Sequence, residues 1–446
     1  MGNQKTGTGP DDRGFSMDDL FAQATPMVDE EAERAERAER SKIIAQVREQ
    51  LKHPKDPKVV TEDGREVWVK NPVPSAANVE DILNLDPWYR DKLRKNAFSC
   101  EVEWAGEKIN DTDITKVRTA IGRDYKMEPS LNLASEMINA VATARSYHPV
   151  RDWLRSIKWD GKPRMSKLLE FYAGTEGTEL NEALSRRFMI SCVARVMDPG
   201  CKVDTVLILV GEQGTKKSTF FATLAGDPWF CDSPIDIRNK DAFGSLRGVW
   251  IYEMAELDAM RPREATTIKA FLSSKADSYR PPYARHNINQ KRQVVFVGST
   301  NERSFLADPT GARRFWPAKV VGGPRIIETG RDREQLWAEA VAAYDGRERW
   351  WLEENEGNDL KKAQEEYQHE DPWESVVVDW WSINPSAVGH SASKILTEAI
   401  KMDVDRQGKQ HEMRLGGILT KLGMEKKRTS LMGSRSWRWV NPDPVE

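Results

Sequence analysis

The clearest hydrophobic pattern in the chain is the apolar run Val206–Val210, with turn-forming residues on both sides. A short run of β-branched residues and leucines between turn signals predicts a strand buried on both faces. Phe220, Phe221 and Leu224 follow at helical spacing and predict a helix directly after it. Further apolar runs at 249–252 and 293–297 predict more strands, with helical stretches between them and a helix at 331–344. Strands alternating with helices argue for an α/β sheet domain over 200–352. Upstream, apolar residues recur at three- and four-residue intervals over 78–85, 112–121 and 131–146, and again over 150–157 and 165–197 with a glycine-rich break at 174–177. These periods predict a mostly helical domain over 76–199, carrying one hairpin at 97–108. Downstream, periodic segments at 393–402 and 414–422 precede a basic stretch and an aromatic strand at 437–440, which predicts a small separate domain over 372–446.

The remaining stretches are polar. Residues 1–28 are rich in Gly, Asp, Thr and Pro and are expected to be disordered. The A-E-R repeats within 29–51 predict a solvated helix or tether, and the region 29–75 reads as that helix followed by a linker or a small hairpin. A second charged, helix-like linker is expected at 353–371.

Composition narrows the class. With 446 residues the chain has room for two or three domains. Its formal net charge of −3 means that any basic surface must be local. Four widely spaced cysteines, Cys100, Cys192, Cys201 and Cys231, form no C-x-x-C pair, and the six histidines are scattered. Reduced thiols in a cytoplasmic protein are therefore expected, rather than a zinc site or a disulfide framework. No apolar run has the length of a membrane span, so no membrane partner is expected.

Chemistry enters in the loop that follows the first strand. There the sequence reads G-E-Q-G-T-K-K-S-T: Gly211, Glu212, Gln213, Gly214, Thr215, Lys216, Lys217, Ser218 and Thr219. Strand, glycine-bearing loop, Lys-Ser and helix is the arrangement of phosphate-binding loops, whose N–H groups close around phosphates at a helix N-terminus. In that reading Lys217 reaches the terminal phosphates of ATP and Ser218 ligates Mg²⁺. The pattern G-x-x-x-x-G-K-[ST] has glycine where this chain has Lys216, a departure that puts efficient hydrolysis in question.

Other candidates follow in order. Glu253 ends the second strand, with Glu256 three residues on, and acidic residues there hold Mg²⁺ and activate water. The third strand runs into Ser299, Thr300 and Asn301, where an amide can contact the γ-phosphate. Arg313 and Arg314 in D-P-T-G-A-R-R-F-W are candidates for an arginine finger acting on a neighbour's nucleotide. Alone, each would suit a surface turn or a solvated charge pair, and it is their order that makes the pattern.

On these residues the core resembles superfamily 3 helicases of the AAA+ class, and more closely the virulence-associated E family of phage and mobile-element ATPases. The resemblance rests on Y-H-P-V-R-D-W-L, W-D-G-K-P-R, P-G-C-K-V-D, the glycine-bearing loop, W-I-Y-E-M-A-E-L-D, Y-R-P-P-Y-A-R, S-T-N and D-P-T-G-A-R-R-F-W-P, and it spans 76–352. It implies an α/β P-loop core between a helical N-terminal domain and a winged-helix-like C-terminal domain. It further implies an ATP-driven DNA helicase or translocase in replication of mobile DNA, working as a homo-oligomeric ring, in first place a hexamer, with a primase or other replication proteins as separate partners. The alternative is a nucleotide-dependent DNA-binding or assembly module with little turnover. In superfamily 3 enzymes a hairpin grips single-stranded DNA, and the corresponding stretch here holds Arg280, Tyr283, Arg285, His286, Lys291 and Arg292. Lys426, Lys427, Arg428, Arg435, Trp437 and Arg438 near the C-terminus suggest a basic wing for duplex DNA.

Overall fold

The charged helix near the start of the chain is not polar all round. In the computed structural model, which describes residues 30–53, 58–60, 66–68, 71–237, 239–254, 262–279, 288–302, 313–367, 371–386, 388–431 and 434–442, it forms α1, Glu30–Gln50. Val47 and Leu51 are buried, and Ile43 and Ile44 pack beside them against the first unit's core. Arg40 pairs with the buried carboxylate of Asp86 and lies 3.5 Å from Asp124. The expected tether is thus a packed helix, because its last turns carry an apolar stripe that the A-E-R repeats lack.

The chain divides into two compact units at 149/150. In the first, β1 (Lys58–Val60) pairs antiparallel with β2 (Glu66–Trp68). Ser75 caps α2 (Ala76–Leu85), and Asp86 caps the short α3 (Pro87–Arg90). Strands β3 (Leu93–Asn96), β4 (Glu101–Trp104) and β5 (Glu107–Lys108) form a meander, and after α4 (Asp111–Tyr125) and α5 (Leu131–Ala144) strand β6 (Ser146–Tyr147) joins beside β3. An Asn110–Asp113 capping box starts α4 and Ser130 starts α5, each just before the apolar stripe the sequence shows. Val79, Ile82, Val117, Ile121, Ile138 and Val141 meet in one core.

The second unit begins within α6 (Pro149–Ser156), one residue from its start, and continues to the long α7 (Glu179–Met197). The boundary expected at 199/200 therefore lies elsewhere, since α7 belongs to the second unit. Helix α7 is buried on nearly every side, which suits a core helix rather than a domain edge.

Five strands make the central sheet: β7 (Val206–Val210), β8 (Phe230–Cys231), β9 (Ile251–Met254), β12 (Val295–Thr300) and β13 (Phe315–Lys319). Their order is β13-β7-β12-β9-β8, and every pair is parallel. Helix α8 (Lys217–Ala225) follows β7, and α9 (Pro262–Ser273) precedes a separate antiparallel pair, β10 (Ala276–Tyr279) and β11 (Ile288–Lys291). All residues of β7 are buried, as expected for a strand with neighbours on both edges and helices on both faces.

After β13, α10 (Ile326–Asp345) packs on α7 and α8, and its Trp337 ring centroid lies 4.2 Å from that of Trp250. The stretch expected as a helix-like linker at 353–371 is mostly helical, α11 (Glu354–Glu365), but it is packed rather than a linker. Its Leu360 is buried, and Gln364 Nε2 donates to Phe315 O at 2.6 Å.

The C-terminal elements are α12 (Pro372–Ile383), α13 (Ala392–Glu398), α14 (Lys409–Lys421) and an antiparallel ribbon of β14 (Glu425–Leu431) and β15 (Ser434–Val440). They enclose a core of their own, with Val377, Trp381, Ile395, Leu415 and Trp439. No helix among the described residues is long and apolar enough to cross a membrane.

Candidate active site

The loop leaving β7 is shaped by three backbone positions. Gly211 N–H donates to Thr300 O at 3.0 Å, and a Cβ there would lie 3.2 Å from Val320 Cβ, so the loop passes close to the neighbouring chain. Gly214 has φ +82°, the left-handed region that suits glycine. Lys216 also lies in that region, at φ 63° and ψ 28°. The chain thus carries a lysine in the backbone conformation that the glycine of the usual pattern favours.

No side chain caps α8, whose first turn begins at Lys217. The amides there border a cavity of about 470 Å³, lined among others by Gln213, Gly214, Lys217, Ser218, Ser299 and Asn301. Uncapped N–H groups at a helix start attract anions. The Lys217 ammonium is folded back on the loop, donating to Gly211 O at 2.8 Å and Glu212 O at 2.7 Å.

Parallel pairing of β7, β12 and β9 brings their C-terminal ends together, the usual place for a ligand in such sheets. As a result Ser218 Oγ donates to Glu253 Oε1 at 2.9 Å, and Ser299 Oγ lies 3.5 Å from Ser218 Oγ. Glu253 is 3% exposed, and its Oε2 is buried with no hydrogen-bond partner. Burial pushes its carboxyl up from the usual range, while the hydroxyls of Ser299 and Ser218 pull it down. A hydroxyl beside a carboxylate with an unused oxygen is a donor set that suits a hard divalent cation.

The other expected residues fall in different places. Asn301 follows β12 and lines the same cavity. Glu256, Arg280, Tyr283, Arg285 and His286 lie outside the described residues. Arg313 and Arg314 precede β13, whose Phe315 is in register with Val206, so they lie at the opposite end of the sheet from the loop. A strand the length of β7 spans about 17 Å, which keeps these arginines away from the cavity of their own chain. Arg314 is tied to Ser273 Oγ at 3.1 Å and lies 3.5 Å from Asp204, whereas Arg313 is exposed.

Lys291 is exposed at the end of β11, but the expectation that Arg292 contacts phosphates is corrected. Arg292 is 2% exposed, its guanidinium pairs with Asp277 and donates to Phe271 O, and it stacks over the Phe271 ring at 4.6 Å. It is a core residue because Asp277, its charge partner, is buried with it. Ser299, in contrast, was only part of a polar triplet in the sequence, and parallel pairing makes its hydroxyl a neighbour of Ser218 and Glu253. Alternation along β12 was the available signal, since Val297 and Ser299 share a face.

Comparison with known proteins adds the following. No curated protein matches the chain. Among solved structures, the apo structure of the NrS-1 C terminal region (305-718) is similar at 11% identity and a TM-score of 0.38, covering 78% of this chain and 95% of that one. An A form apo structure of the same region is similar at 12% identity and a TM-score of 0.34, covering 75% and 84%. The sequence profile of the virulence-associated protein E-like domain matches residues 154–369, which include the glycine-bearing loop, Glu253, Asn301 and both candidate arginines. Residues 154–369 therefore belong to the virulence-associated protein E-like family.

Proposed function

We propose that the second unit is a P-loop ATPase of the AAA+, superfamily 3 helicase type that couples ATP hydrolysis to movement on DNA during replication of phage or mobile-element DNA. One observation carries this reading. A single cavity joins an uncapped helix start, Lys217, Ser218 and Asn301, and Ser218 Oγ donates to the buried Glu253.

In this reading the first-turn amides of α8 hold the phosphates, and Lys217 leaves the loop carbonyls to lie against the terminal ones. Ser218 and Glu253 would hold Mg²⁺, which neutralises charge on the transferred phosphoryl group when bound. No group of three or more His, Cys, Asp or Glu side chains suited to a metal occurs among the described residues, so the cation would share its coordination with phosphate oxygens and water. Asn301 orients the attacking water, Glu256 takes its proton, and Arg313 acts on the nucleotide of an adjacent subunit in a ring. The β10–β11 arms carry the segment that grips single-stranded DNA. The C-terminal helices and ribbon act as a winged-helix domain whose Lys426, Lys427 and Arg428 contact duplex phosphates.

The second reading is a nucleotide-dependent binding module with little turnover, and the left-handed Lys216 favours it. Steady-state ATP hydrolysis with and without single-stranded DNA separates the two. Turnover stimulated by DNA is the expected result. ATP binding without turnover in either condition would establish the second reading, and no ATP binding would overturn both.

A further inference from the structure

The first unit holds a cationic cavity that the ATPase reading leaves unused. It has a volume of about 370 Å³ and is lined by Arg90, Asp91, Arg94, Arg145, Ser146 and Tyr147, from the end of α3, strand β3 and strand β6. Three guanidinium groups share it with a single carboxylate, and Asp91 is already paired with Arg90 at 2.9 Å. Two cations are left in excess, in a chain whose net charge is −3.

Arg145 is fixed in place. Its Nη1 donates to Arg90 O at 3.0 Å and Leu83 O at 3.4 Å, and its Nη2 donates to Asn84 Oδ1 at 2.6 Å. These acceptors lie at the ends of α2 and α3, so two helix termini orient the cation. Burial lowers the Arg145 pKa, and the charges of Arg90 and Arg94 lower it further. Like charges gathered in one concave place repel each other, and an anion relieves that repulsion.

One aromatic ring accompanies the cations. Tyr147 lines the cavity with its hydroxyl held by Glu103 at 2.6 Å. Arginine forks match phosphate oxygens, and exposed rings offer stacking surfaces to unpaired bases.

We propose that this cavity of the first unit binds phosphate groups of a single-stranded nucleic acid, with Arg90, Arg94 and Arg145 on the phosphates and the Tyr147 ring beside a base. The strand must be unpaired, since bases inside a duplex present no faces for stacking.

The test uses the full chain without ATP, so that its outcome does not depend on turnover. A fluorescent oligothymidine is titrated with the wild type, Arg94→Glu, Arg94→Lys and Lys116→Glu, the last making the same charge change on α4. Arg94→Glu should weaken binding on the order of tenfold and flatten the slope of log K against log salt by about 0.7. Arg94→Lys should retain most of the affinity, and Lys116→Glu should behave as wild type. Photocrosslinking with iodouridine-substituted strands should label the segment around Tyr147, and Arg94→Glu should lose that label. Unchanged affinity and slope, with crosslinks only in the second unit, would overturn the proposal. Equal losses in Arg94→Glu and Lys116→Glu would reduce it to a general charge effect. If Arg94→Glu changed competition by inorganic phosphate or ATP but not oligonucleotide binding, the cavity would be a small-anion site and the nucleic-acid assignment would fall.

Discussion

Lys216 holds the left-handed conformation that the pattern reserves for glycine, and an L-residue there is strained by about 1–2 kcal/mol. Lys216→Gly removes that strain but loosens the unfolded chain, an opposing effect of about 0.4–1 kcal/mol. The expected net result is a stabilisation of between about 0 and 1.6 kcal/mol in denaturant unfolding, with ATP turnover kept or raised. Lys217→Ala should lower turnover about a hundredfold or more, because it removes the cation proposed to meet the terminal phosphates. A harmless Lys217→Ala beside a crippling Lys216→Ala would shift the register of the loop by one residue.

Glu253 makes a second residue-scale prediction. Its folded-state pKa is raised, chiefly by burial, so the ionised form is disfavoured by folding. The resulting loss of stability is present at neutral pH and fades as pH falls and the carboxyl takes up a proton. Glu253→Gln should therefore raise the stability of the nucleotide-free protein at pH 7 by roughly 1 kcal/mol while abolishing turnover. That advantage should shrink toward the ordinary carboxylate pKa of about 4.3. Thermal unfolding of both proteins across this pH range checks the sign, and an advantage that grew at low pH would contradict it.

At the scale of elements, the β10–β11 pair is anchored at its base. Arg292 follows β11 and grips Asp277 of β10, with Nε 3.0 Å from Oδ2, and both residues are buried. Removing one partner leaves an uncompensated buried charge, which costs about 3–5 kcal/mol. Asp277→Ala should lower stability by that amount in denaturant unfolding. Lys291→Ala, on the exposed end of β11, should leave stability within about 0.5 kcal/mol of wild type. The same argument separates the two residues functionally, because only an exposed cation can meet a phosphate without first leaving its partner.

On the scale of the whole molecule, the parallel sheet puts the two halves of the proposed chemistry at opposite ends of its strands. The loop and Glu253 lie at the C-terminal ends of β7 and β9, and Arg313 lies before the start of β13. A complete site then needs a neighbour's arginine, so turnover should rise steeply with protein concentration. Mixing Arg313→Ala with Lys217→Ala chains should restore part of the activity, since some mixed interfaces join an intact loop to an intact arginine. Arg313 is chosen over Arg314 because Arg314 is already held by Ser273 and Asp204. Concentration-independent turnover and no rescue on mixing would place the arginine's role elsewhere.

Local pattern was enough for what lies close together in the chain. The buried strand β7, its loop, Lys217 and Ser218 are contiguous, and the stripes of α2, α4 and α5 report their buried faces through their own periods. What depends on a distant partner was not legible. Glu253 meets Ser218 across 35 residues only through the order of the sheet, and Arg292 is a core residue only because Asp277 is buried against it. Arg90, Arg94 and Arg145 are unremarkable charges in sequence until β6 pairs beside β3. The unit boundary and the packing of α1 and α11 were decided in the same way. The physical reason is that a residue's period reveals which face of its element is buried, whereas the environment of a charge is set by whatever that face is packed against.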